Sequence, residues 1–230
     1  ALSLGASAIY SIVGLLDSLT AQGGLAGQTA SINPSLDKRE WLDLTYQVLR
    51  IVFRLAPVAL VLYLLRPEGS SLQQLGVRFQ RFGRSVAWSL LIAAAIGIPG
   101  IGLYLLARYL GLAVKVVPSD LANHWWTIPT LLALAAVAAI TEETIVIGYL
   151  FQRLERIGIT ANRIVIFGAL LRAAYHLYQG FGGFIGNLAM GIAFALYFKR
   201  TRNLTPLLLA HFWLDAASFV GYPLVAPLLP

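Results

Sequence analysis

The sequence predicts an all-α fold, a polytopic transmembrane helix bundle with about seven spanning helices. Three observations point there. Of 230 residues, 58% are hydrophobic and only 12% are charged. Long uncharged runs alternate with short clusters of Arg and Lys, the pattern left by helices that cross hydrocarbon and by their basic loops. Within the run that starts near Trp125 lies an adjacent carboxylate pair, Glu142 and Glu143. Ionisable groups at such depth are expensive, and are kept because they perform a task or pair with one another.

The net charge of +7 would invite a nucleic-acid partner in a soluble protein. Here the basic residues sit at the ends of apolar runs, as topology demands, so no nucleic-acid partner is expected. Absence of cysteine excludes disulfides, thiol nucleophiles and thiolate metal ligands.

Taken in order, Leu2 to Leu19 is the first helix, interrupted by Gly5, Gly14 and Asp17. No basic region precedes it, so it does not read as a signal peptide. Thr20 to Asn33, rich in Gly, Ala, Ser and Thr, reads as a loop. Pro34 to Trp41 reads as an interfacial piece. Leu42 to Leu65 is long enough to span and is kinked by Pro57. Its Arg50 and Arg54, four apart, share one face toward protein or headgroups.

Arg66 to Arg84 is basic, with Arg78, Arg81 and Arg84 spaced between Leu75, Phe79 and Phe82. It is expected to form one amphipathic helix on an anionic membrane surface. Val86 to Leu110 spans next, with Gly97, Pro99, Gly100 and Gly102 expected to break or thin it. Gly111 to Asn123 is a loop, and Trp125 to Leu150 a span. Ile164 to Tyr178 and Phe184 to Phe198 follow, joined by a glycine turn at 179–183. Leu204 to Tyr222 is the last span, ended by Pro223. The basic loops at 66–84, 151–163 and 199–202 then fall on one side, which puts the N-terminus inside.

Four groups share a depth, at about 1.5 Å of rise per residue. Glu142 lies eleven residues before Arg153, His176 thirteen after Arg163, His211 nine after Arg202, and Asp215 one turn deeper. Arg172 and His176 are four apart, as are His211 and Asp215, so each pair lies on one helix face. Two such faces meeting at Glu142 and Glu143 supply a base, imidazole donors and a cation. This equipment suits activation of water and stabilisation of an oxyanion in amide hydrolysis. A structural polar network joining three helices is the plainer alternative. Ser218, one turn past Asp215, is a weaker nucleophile candidate. A Zn²⁺ site on Glu142, His176 and His211 is a further alternative. The His-Glu-x-x-His signature is absent, and Arg172 would oppose a dication there.

At these residues the chain resembles the CAAX protease and bacteriocin-processing family, which includes the type II CAAX prenyl endopeptidases. The family pattern is Glu-Glu-x-x-x-Arg, then Phe-x-x-x-His, then His-x-x-x-Asn or Asp, on separate helices. The match covers about residues 125–222 of a single integral membrane domain, 1–230. The resemblance implies that Glu142, with His176, activates the hydrolytic water. It makes Glu143 the second motif glutamate, and His211 and Asp215 the oxyanion side, with no cofactor. Two positions depart: Ile147 stands where the family has Arg, and Arg172 where it has Phe. The two departures read as an exchange, with Arg172 replacing the lost partner of Glu143 or Glu142, since an unpaired buried carboxylate would protonate.

The expected activity is therefore an intramembrane endopeptidase, in a bacterial cytoplasmic membrane, acting on a membrane-associated peptide or protein. The rivals are a non-proteolytic scaffold or immunity protein and a proton-coupled transporter; the latter would more comfortably show a repeated half, and none is visible. Partners are the substrate and the lipid bilayer; nothing in the sequence sets an oligomeric state.

Overall fold

In the computed structural model, which describes residues 2–221, helices dominate. In chain order they are α1 (Leu2–Thr20), α2 (Gly24–Gly27), α3 (Glu40–Arg54), α4 (Ala56–Leu65), α5 (Ser71–Gln74), α6 (Phe82–Tyr109), α7 (Thr127–Glu142), α8 (Phe151–Arg156), α9 (Ala161–Tyr175), α10 (Phe181–Thr201) and α11 (Thr205–Ala216). A π-helical stretch, Glu143–Leu150, joins α7 to α8, and another, Ala217–Gly221, extends α11. Tyr222 and Pro223, the expected end of the last span, lie outside the described residues.

Each of the seven predicted spans is helical. Four stretches among the described residues are both long and apolar enough to cross a membrane: Glu40–Leu65, Phe82–Tyr109, Thr127–Arg156 and Phe181–Thr201. The other three are shorter helices, α1, α9 and α11, that pack among the long ones. The chain is thus a multi-pass membrane protein. Exposed Ile98, Ile101, Leu105 and Leu106 on α6 form the kind of apolar outer surface that lipid covers.

The break expected at Pro57 falls at Leu55, between α3 and α4, with the proline in the first turn of α4, where its missing N–H costs nothing. By contrast, α6 runs unbroken through Pro99 and its glycines. Gly97 instead lies against α11: a Cβ there would lie 2.9 Å from Leu214 Cδ2 and would push that side-chain end aside. Ser89 Oγ on α6 also accepts a bond from Trp213 Nε1 at 3.1 Å.

Three loop expectations need correction. Residues 66–84 do not form one amphipathic helix: a 3₁₀ turn (Arg66–Glu68), the short α5, and left-handed residues at Gly69, Gly76 and Arg81 divide the segment. Gly76 is forced by contact as well, since a Cβ would meet the Arg202 carbonyl at 2.7 Å. The expected loops 20–33 and 111–123 carry strands β1 (Thr29–Asn33) and β2 (Lys115–Ser119), paired in parallel with Thr29 opposite Lys115 and Asn33 opposite Ser119. The strands satisfy each other's backbone groups, and Tyr104 of α6 adds an acceptor for Val116 N–H at 3.1 Å. In the turn at 179–183, Gly180 takes the positive φ (87°), against Ala113, and Gly182 serves close approach, since a Cβ there would lie 2.5 Å from Ala107 Cβ; α10 already begins at Phe181.

The main core lies where the π stretch meets α8, α9, α10 and α11, around Ile145, Ile147, Phe151, Phe194, Phe198 and Leu207. α9 packs most extensively on α10, and α6 on α11. At the basic end, Arg202 grips both oxygens of Glu155 at 2.6 Å, a forked pair that ties α10 to α8.

Candidate active site

Glu142 ends the regular turn of α7 and Glu143 opens the π stretch. Single-turn widening of this kind recurs at functional sites. Successive helical residues point about 100° apart, so neighbouring carboxylates on one helix enter different surroundings. Glu143 is fully buried, whereas Glu142 is only half-buried.

The last turn of α9 supplies the partners. Arg172, fully buried, donates from Nη2 to Oε1 of Glu143. Its guanidinium carbon lies 5.4 Å from the centre of the Phe194 ring of α10, a cation–π contact. The close approach of α9 to α10 depends on Gly191, where a Cβ would sit 2.8 Å from Ala169 Cα and 3.5 Å from Arg172 Cδ. Tyr175, one turn past Arg172, donates its hydroxyl to Glu142 Oε2 at 2.7 Å. His176 Nδ1 lies 3.0 Å from the Arg172 carbonyl. A carbonyl only accepts, so Nδ1 carries the proton in that bond and Nε2 is left with its lone pair.

From α11, His211 Nδ1 lies 2.7 Å from Glu143 Oε1, and its Nε2 lies 3.5 Å from Asp215 Oδ2 one turn on. Glu143 Oε1 is therefore shared between a guanidinium and an imidazole from two different helices. Three buried polar atoms here, Glu143 Oε2 and Arg172 Nε and Nη1, have no hydrogen-bond partner among the described residues. Glu142 lies within Coulombic reach of His211, His176 and Arg172.

All six predicted site residues thus fall in one neighbourhood. Glu143, Arg172, His211 and Asp215 form a chain of contacts through Glu143 and His211. Glu142 joins through Tyr175, and His176 through the Arg172 backbone. Among the described residues no direct hydrogen bond links Glu142 to either histidine. Ser218 makes no side-chain hydrogen bond to the cluster among the same residues. Asn187 bonds within its own helix, to the Gly183 carbonyl at 3.0 Å. Arg50 reaches the Ile32 carbonyl on β1 at 3.1 Å, and Arg54 is exposed. Sequence reasoning missed Tyr175 and Phe194. Tyr175 carries a signal, since it directly precedes the motif histidine; Phe194 carries none.

The alternative metal set of Glu142, His176 and His211 is not assembled. Among the described residues no group of three or more His, Asp or Glu side chains is arranged to hold a metal ion. The reason lies with His211, both of whose nitrogens face carboxylate oxygens.

The family model described as Type II CAAX prenyl endopeptidase Rce1-like matches residues 124–217, a stretch that contains the whole cluster from Glu142 to Asp215. It supports, in general terms, an intramembrane endopeptidase of the CAAX protease type. No curated protein and no solved structure matches the chain.

Proposed function

We propose, proceeding from the likeness of residues 124–217 to the type II CAAX prenyl endopeptidase family, that the chain hydrolyses a peptide bond of a membrane-associated peptide or protein with Glu142 as general base. The observation that carries this reading is the division of labour between adjacent glutamates. Glu143 is sequestered between Arg172 and His211, while Glu142 stays half-buried, fixed by one hydrogen bond at Oε2. Its Oε1 is left to take a proton from water.

In the proposed step, water sits between Glu142 and the free Nε2 of His176. Glu142 removes one proton as the oxygen adds to the scissile carbonyl carbon. The oxyanion so formed accepts a hydrogen bond from His211 Nε2–H, which turns to it from Asp215 Oδ2, 3.5 Å away. Collapse breaks the C–N bond, and the proton held by Glu142 passes to the leaving amine. Donors aimed at such an oxyanion are worth about 10²–10³ in rate. Arg172, Glu143 and Asp215 are positioning residues, acting on the reaction through His211. On this reading the basic end of the bundle and the N-terminus face the cytoplasm.

The test compares membrane peptides, by mass spectrometry, from cells carrying the wild-type chain and Glu142→Gln. Cleavage products should vanish in the variant while the purified protein keeps its melting temperature. An unchanged peptide pattern in the variant would overturn the assignment.

A further inference from the structure

A cavity of about 370 Å³ opens at the start of α6, remote from the carboxylate cluster, lined by Arg78, Arg81, Arg84, Trp88, Tyr197 and Asn203 among others. We infer that this cavity binds the phosphate-bearing headgroup of an anionic phospholipid.

Charge is the first argument. Three exposed arginines line one space, and none of its lining residues is acidic. Among the described residues none of the three guanidiniums makes a hydrogen bond or an ion pair; the bonds at these residues are to backbone, as where Thr205 Oγ1 holds Arg78 at 2.8 and 2.9 Å. Like charges gathered without an acid repel, so an anion is the missing component. The backbone is built for the gathering. Thr205 clamps Arg78, and Arg81 takes the left-handed conformation (φ 59°), turning the chain into α6 so that Arg84 follows on the same wall. The positive end of the α6 dipole lies at the same wall and adds its partial charge.

Depth is the second argument. At 28 residues, α6 is about 42 Å long, against about 30 Å of hydrocarbon, so its ends stand in the headgroup layer. Trp88 and Tyr197 line the cavity as interfacial aromatics do. Phe79 (68% exposed) and Phe82 (48% exposed) flank the arginines and offer apolar surface to the acyl chains. The volume lies within the range of pockets that hold small organic ligands, more than bare phosphate fills.

The test uses the full chain in neutral detergent. Its thermal unfolding is followed while phosphatidylglycerol, phosphatidylcholine or inorganic phosphate is titrated in. Phosphatidylglycerol should raise the melting temperature, with phosphatidylcholine nearly inert. The triple variant Arg78→Gln, Arg81→Gln, Arg84→Gln should need on the order of a hundredfold more phosphatidylglycerol, at about fivefold per cation. Stabilisation by inorganic phosphate equal to that by the lipid would overturn the headgroup assignment in favour of a soluble phosphate ligand. Equal response of wild type and variant would overturn the site. Should the triple variant misfold, Arg84→Gln alone, at a solvent-exposed position, should still show about a fivefold loss; an unchanged midpoint there would count equally against the site.

Discussion

Arg172 on α9 donates to Glu143, the first residue of the π-helical stretch, and neither side chain retains any exposed surface. Removing one member of a buried pair strands the other charge at a cost of about 3–5 kcal/mol. Arg172→Met and Glu143→Gln should each lower stability on that scale. The double variant should lose less than the sum of the two, with a coupling of about 0.5–3 kcal/mol. A double-mutant cycle by thermal unfolding in detergent reads this directly, and strict additivity would show that the pair contributes no interaction.

The same pair bears on the two departures from the family motif, Ile147 in place of Arg and Arg172 in place of Phe. Ile147 lies four residues beyond Glu143 and is buried in the main core. An arginine at that position would start one turn from the carboxylate it must reach. Arg172→Phe should abolish cleavage, and Arg172→Phe with Ile147→Arg should restore it. Full activity of the single variant would end the idea that the cation was moved from one helix to the other.

Tyr175 holds Glu142 at 2.7 Å. A hydrogen bond to a charged group contributes about 1.5–3 kcal/mol. Tyr175→Phe should therefore slow cleavage roughly tenfold or more, with KM little changed because the hydroxyl is directed at the base. A fall in melting temperature with kcat intact would make the bond structural only.

Helical periodicity made much of this site legible in the sequence. Arg172 with His176, and His211 with Asp215, are pairs that any helix brings to one face, and a shared depth placed both beside Glu142. The choice of Glu142 over Glu143 came from the family pattern and not from periodicity, because it depends on which face of α7 meets α9, where Gly191 on a third helix sets the approach. The pairing of β1 with β2 joins loops more than eighty residues apart, a register with no local signature. At 66–84 the three-residue spacing of the arginines fits a helix and fits a cavity wall equally well. Left-handed Gly76 and Arg81 decide for the wall.

Chelation separates the water mechanism from its metal rival. With both nitrogens of His211 facing carboxylates, a metal bound there would have to displace an existing partner. Cleavage by the purified protein should survive prolonged treatment with a strong chelator. Loss of activity that added Zn²⁺ restores would favour the metal.

Gly191 offers the sharpest test of how the site is held, because it touches no reacting group. A Cβ there would lie 2.8 Å from Ala169 Cα and 3.1 Å from Ala169 Cβ, too close for either helix to stay in place. Overpacking of this kind costs about 1–3 kcal/mol, and the displaced helix is the one carrying Arg172, Tyr175 and His176. Gly191→Ala should therefore lower both melting temperature and cleavage rate, and Gly191→Val should lower both further. Ala169→Gly, added to Gly191→Ala, removes the Cβ contact but leaves the clash with the Cα, so rescue should be partial. Complete rescue would mean that the side-chain methyl alone sets the spacing; no loss in Gly191→Ala would mean that α9 can retreat from α10 without disturbing the carboxylates.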